Sequence, residues 1–175
     1  MAEAPQYLTL KRHRDMVGRQ RRPWSRRVLL LLLLALPLAA LVGVFGQQAV
    51  DSVASSPAAT LRVEAADRLR GGLLGQNVFE IDAHTSLKHA TLVLDSGWFD
   101  SIQLNTIIPN PLNETDRNGR LALDFGHVPA GSKLVVHMQF QVNPTNVAFR
   151  RSVDVTLADG STPILHIARH LTIYP

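Results

Sequence analysis

Three groupings of polar side chains in this 175-residue chain have spacings that chemistry could use. His166 and His170 stand four apart, the separation at which two imidazoles on one helix face share a zinc ion. Here they fall in alternating β-type sequence, LHIARHLTI. On a strand such positions lie about 13 Å apart, at ~3.3 Å per residue, too far for one ion. Both are expected to face solvent. His84, His89, His127 and His137 show no ligand spacing. Glu114, Asp116, Asn118 and Gly119 follow the first half of a calcium loop, but such a loop closes on a bidentate Glu at its twelfth position. That position is Phe125. A polar turn ending in Asn-Gly is expected instead. Asp95 and Asp100 flank Trp98 and Phe99, a grouping of carboxylates and aromatics of the kind found in sugar-cleaving clefts. The preferred reading is a turn whose aromatics plug the end of the fold.

Nucleophilic catalysis finds no motif: neither Gly-x-Ser-x-Gly nor Ser-x-x-Lys occurs. The chain has no cysteine, which excludes thiol catalysis, cysteine zinc sites and a cysteine-borne lipid anchor. The expectation is therefore no catalytic residue, no cofactor and no metal. Asn113-Glu114-Thr115 has the form of a glycosylation acceptor, a chance match if the chain is bacterial.

The element that positions everything else is residues 28–45, VLLLLLLALPLAALVGVF, which carry no charge. Eighteen residues make a helix of roughly 27 Å, against a bilayer core of about 30 Å. A transmembrane helix over 28–46 is expected, with Pro37 able to kink it. A cleaved signal peptide shares the basic and apolar regions, but its apolar run is about 7–15 residues. Ser25 to Leu30 also has the form of a twin-arginine motif, yet six consecutive leucines are too apolar for one. An uncleaved anchor is the expectation.

Charge sets the orientation. Eight Lys/Arg precede the helix against Glu3 and Asp15, while ten Lys/Arg face twelve acids from Asp51 onward. The formal charge of +4 is thus a property of the tail. Basic flanks stay cytoplasmic, so residues 1–27 read as a cytoplasmic tail. Arg22, Trp24, Arg26 and Arg27 are expected at the membrane interface, in contact with the lipid bilayer. A nucleic-acid role would need a basic folded domain, and none is expected. Missing disulfides outside the cytoplasm, with Ala, Leu and Arg richness, point to a bacterial inner (plasma) membrane.

Residues 47–59 (QQAVDSVASSPAA) are small and polar and read as a linker; residues 60–175 read as one extracytoplasmic domain. Its dominant signal is period two. Leu134, Val136, Met138, Phe140 and Val142 share one face, as do Phe79, Ile81 and Ala83, and Val153, Val155 and Leu157. Leu121, Leu123 and Phe125 form another such row, and Leu92 to Leu94 suit a more fully buried strand. Asn118-Gly119, Pro129-Ala130-Gly131 and Asp159-Gly160 supply tight turns. Pro109-Asn110-Pro111 forces a loop. A short turn of helix within 65–74 is the only helical expectation after residue 45. Short strands at regular spacing make an all-β antiparallel sandwich.

The order of LVL (92–94), Trp98-Phe99, IIPNP (107–111) and LALDFGHVPAGSKLVVHMQFQVNPT (121–145) resembles bacterial immunoglobulin-like domains of cell-surface proteins. In related modules a strand ending in Gly-x-x-Pro-Ala-Gly leads into a long alternating strand, as Gly126 to Val142 do here. The resemblance implies an immunoglobulin-like sandwich of about seven to eight strands, without the Cys-Trp-Cys core of antibody domains. Fold likeness says little about activity. The expected role is a non-enzymatic interaction or accessory module for another membrane or envelope protein. Trp98, Phe99, Ile107, Ile108, Pro109, Asn110 and Pro111 are its expected contact surface. A carbohydrate or cell-wall ligand-binding domain is the alternative, and an envelope hydrolase the third reading.

Overall fold

The computed structural model describes residues 23–41 and 48–175. The chain divides into two units, which are described separately. In the first, helix α1 covers Pro23–Leu41. Proline suits the first turn of a helix, where its missing N–H has no partner to lose, and Pro37 is accommodated inside. Trp24, Arg26 and Arg27 occupy the first turns, and the leucines are exposed. The helix begins ahead of the expected span. Arg22, the rest of the tail and residues 42–46 lie outside the described residues. By length and composition Trp24–Leu41 could cross a membrane.

The second unit is an all-β, immunoglobulin-like sandwich. Its strands are β1 (Ala49–Ser55), β2 (Ala59–Ala66), β3 (Arg68–Arg70), β4 (Leu74–Ala83), β5 (Ala90–Leu94), β6 (Ile102–Ile108), β7 (Asn113–Arg117), β8 (Arg120–Asp124), β9 (Lys133–Val142), β10 (Ala148–Ser152), β11 (Val155–Asp159), β12 (Thr162–Ile167) and β13 (His170–Tyr174). One sheet has the order β1-β2-β4-β9-β6, the facing sheet β12-β11-β5-β8-β7, and a small third sheet β10-β13-β3. All pairings are antiparallel except β13 with β3.

The longest ladder joins β4 to β9, from Leu74↔Gln141 to Asp82↔Lys133. Its period-two pattern sends Phe79, Ile81, Val136, Met138 and Phe140 into one core with Leu92, Leu94, Leu123 and Leu157 of the facing sheet. As expected of a fully buried strand, β5 lies at the centre of its sheet, and four of its five residues are buried. The turn chemistry also holds. Asn118 (φ 57°) and Gly119 (φ 78°) close the β7–β8 hairpin; two successive positive φ values define the turn that matches strand twist. Asp116 accepts from the Gly119 N–H at 3.0 Å, so the polar turn is Asn118-Gly119, while Glu114 and Asp116 lie on β7.

Three expectations are corrected. The linker proposed for 47–59 is largely strand: β1 pairs with β2 along Ala49↔Ala66 to Ser55↔Thr60. Residues 65–74 hold β3 rather than a helical turn. Thirteen strands form among the described residues, against seven or eight expected. The extra ones are short or polar edge strands, such as β7 (NETDR), exposed along nearly all its length. Their backbones pair without burying a face, so no alternation marks them.

Candidate interaction surface

The side chains expected to form one surface are divided by the fold. Trp98 ends a short 3₁₀ turn (Ser96–Trp98) and is 5% exposed. Its ring meets Phe79 edge-on, with centroids 5.8 Å apart, and its Nε1–H donates to the Asp154 carbonyl at 3.2 Å. Gly97 permits this: a Cβ there would stand 1.9 Å from the Ser152 carbonyl oxygen. Trp98 is therefore part of the core and cannot act as a surface contact. Phe99 is half-buried against that core. Ile107 points inward and is 8% exposed. The aromatic pair does plug the end of the fold.

Asp95 and Asp100 do not form a carboxylate pair in a cleft. Asp95 holds Arg120 at 2.8 Å and accepts from the Ser152 hydroxyl. Asp100 faces Arg151 at 3.3 Å. Arg151 also donates to the Asp100 carbonyl at 2.6 Å and to the buried Asn146, which in turn donates to the carbonyls of Asp100 and Ser101. These acids stitch a turn to β10.

The other residues of the expected surface lie on a loop at the sandwich edge. Ile108 is 57% exposed, Pro109 and Asn110 are exposed, and Pro111 is half-buried. The Ile108–Pro109 bond is cis. The loop joins β6, the edge of one sheet, to β7, the edge of the other. Between these edges lies an open cleft of about 440 Å³ lined by Leu104, Asn105, Thr106, Ile107, Asn110, Pro111 and Glu114. A bulge between Leu104 and Thr106 breaks the β6–β9 register, and a bulge turns an edge away from regular pairing. Leu112 stands 78% exposed beyond the loop. The cleft thus offers amides, a hydroxyl and one carboxylate, bordered by two exposed aliphatic side chains.

The histidines are separated. His166 is on β12 and His170 on β13, strands of different sheets. The apparent single run from 162 to 174 breaks at Ala168 and Arg169, where the chain changes sheets. His166 lies 3.2 Å from the Thr156 hydroxyl, His89 is 3.2 Å from Asp124, and His137 is 3.0 Å from Gln76. Among the described residues, no three His, Asp or Glu side chains are grouped to hold one metal ion.

Sequence reasoning missed Arg169, which is 5% exposed. Its Nη1 donates to the Val50 carbonyl (3.0 Å), the Ser52 hydroxyl (2.5 Å) and the Val63 carbonyl (3.3 Å). Its Nη2 donates to the Ala65 carbonyl (2.6 Å) and to Asp67 (2.7 Å). Burial pushes its pKa down, opposed by the charge of Asp67. Only its Nε lacks a partner. The guanidinium locks β1, β2 and the segment before β3 to the chain between β12 and β13. No residue spacing signals it. Two surface cations show the opposite shift: the charges of Asp82 and Glu80 raise Lys133, and a hydrogen bond to Asp51 raises Arg62.

No protein-family model matches the chain, and no curated protein matches it. Among solved structures, the fold is similar to AvmM, a protein described as catalysing macrocyclization in alchivemycin A biosynthesis. That match has 7% identity and a TM-score of 0.40 over 74% of this chain and 92% of that one. It is also similar to a non-cellulosomal cohesin of the hyperthermophilic archaeon Archaeoglobus fulgidus, with 13% identity and a TM-score of 0.37 over 62% and 86% of the two chains. A third likeness is CaCohA2 of Clostridium acetobutylicum, with 11% identity and a TM-score of 0.40 over 75% and 94%.

Proposed function

We propose that this protein is a membrane-anchored interaction module of the bacterial envelope, without catalysis of its own. The reading places the uncharged part of α1, from Val28 onward, across the inner membrane, residues 1–27 in the cytoplasm and the sandwich outside. The charge asymmetry around the helix supports that orientation. The occupant proposed for the cleft between β6 and β7 is a short extended segment of another envelope protein. The observation that carries this is the pairing of an unpartnered sheet edge with exposed Ile108 and Leu112 at either side of the Pro109-Asn110-Pro111 loop. Backbone groups of an edge supply affinity, and flanking side chains supply selectivity. The carbohydrate alternative loses its support, because Trp98 is inside and Phe99 is half-covered.

The test places a photo-crosslinking amino acid at Asn105, Asn110 or, as a control in the turn that precedes β9, Ala130, in cells expressing the full chain. One shared adduct from positions 105 and 110, absent from 130, is the expected result. Equal adducts from all three positions, or none, would refute the cleft as the contact.

A further inference from the structure

The end of the sandwich where β1 begins differs from the rest of its surface. Register places it: Ala49 lies opposite Ala66, Leu74 opposite Gln141, and Ile102 opposite Val142. The chain segments crossing this end are the β2–β4 connection, which contains β3, and the β9–β10 connection. These connections expose Leu73 (43%) and Val147 (62%), and the strands they lead into expose Leu74 (67%), the first residue of β4, and Phe149 (83%), the second of β10. Such a cluster marks an interaction surface. Arg70 and Arg150 are exposed beside it, and neither has an ion-pair partner among the described residues. Of the acids nearby, Asp67 faces Arg169, Asp100 faces Arg151 and Asp51 faces Arg62, while Glu64 lies exposed opposite Asp51. In a unit with more acids than bases, this end thus carries two exposed arginines with no ion-pair partner among the described residues.

We infer that this end docks on an anionic lipid surface, with Leu73, Leu74, Val147 and Phe149 entering the headgroup layer and Arg70 and Arg150 meeting lipid phosphates. The inference rests on the anchored reading given above. Two observations select lipid as the occupant. The free charge is positive, and bacterial phospholipid surfaces are negative. Only seven residues of sequence separate Leu41 from Ala49, a length that spans at most about 25 Å even when fully extended. In an anchored chain the β1 end is thus kept near the bilayer. Apolar tips flanked by arginines are the side-chain pattern of a surface lying in the interface.

The absence of cysteine allows a single spin label to be introduced. The full chain would carry Val147→Cys or, as the control at the other end, Ala130→Cys. Each would be reconstituted in phosphatidylcholine vesicles with or without phosphatidylglycerol. The expected result is a several-fold lower collision rate with a water-soluble nickel chelate at position 147 than at 130, in the anionic vesicles only. Arg70→Gln and Arg150→Gln should each weaken that protection about fivefold, the equivalent of roughly 1 kcal/mol per basic residue. Equal collision rates at both positions overturn the inference, and so does protection indifferent to phosphatidylglycerol. Protection confined to native membranes also overturns it, in favour of a protein partner. Alkaline carbonate extraction separates the two levels. Release of the chain refutes the anchored reading and this inference with it; retention with an exposed label refutes the docking alone.

Discussion

Arg169→Met should destabilise the sandwich by about 3 kcal/mol, at the lower end of the range for removing one partner of a buried ion pair. The estimate is built from the contacts. The substitution strips charged donors from the Val63 and Ala65 carbonyls, from Val50 and Ser52 of β1, and from Asp67. Hydrogen bonds to a charged group contribute about 1.5–3 kcal/mol each before compensation. Two effects reduce the sum. The Asp67 side chain is 46% exposed, so its carboxylate can be rehydrated. Burying a guanidinium, here with Nε unpartnered, itself costs several kcal/mol that the thioether does not incur. Asp67→Asn retains an acceptor and should cost only about 1 kcal/mol, as for a partly exposed pair. The assay is urea unfolding of the full chain in detergent, followed by fluorescence. A Trp24→Phe background leaves the buried Trp98 as the only tryptophan. With a urea slope of about 1–3 kcal/mol per molar, the midpoint should fall by roughly 1–3 M. Hydrogen exchange should speed up first along β1, which loses its tie to the chain after β12. A variant as stable as the parent, or more so, would refute the reasoning. It would mean that guanidinium desolvation outweighs all five contacts.

Two further substitutions test the packed end of the fold. Trp98→Ala should cost about 3–5 kcal/mol in thermal or urea unfolding, the usual effect of emptying a buried aromatic site. Loss of a partner without loss of stability would put Trp98 on the surface after all. Gly97→Ala should prevent folding or cost more than about 3 kcal/mol, because its methyl carbon would overlap the Ser152 carbonyl. Gly119→Ala meets open space and should cost only about 1 kcal/mol, the strain of a positive φ. Comparable melting points for the two alanine variants would contradict the close approach at Gly97.

The elements whose cause is local are legible in the residues alone. An uncharged leucine run makes a helix wherever it is placed. Period-two rows assign Phe79, Ile81, Val136 and Met138 to one face before any partner strand is known. Asn118-Gly119 and Gly131 announce positive φ because few other residues adopt it. What happens where elements meet depends on contacts between residues far apart in the chain. Whether Trp98 lies inside depends on Phe79 and on the Asp154 carbonyl, 56 positions along the chain. Arg169 is buried because carbonyls 104 and 106 positions away converge on it. Nothing beside it in sequence distinguishes it from a surface arginine. The strand at 49–55 was invisible because it is held by backbone bonds, which any side chain permits, and hides no apolar face. The cluster of Leu73, Leu74, Val147 and Phe149 is equally non-local. Two connections distant in sequence meet because β4 and β6 begin, and β9 ends, at the same end of the sandwich.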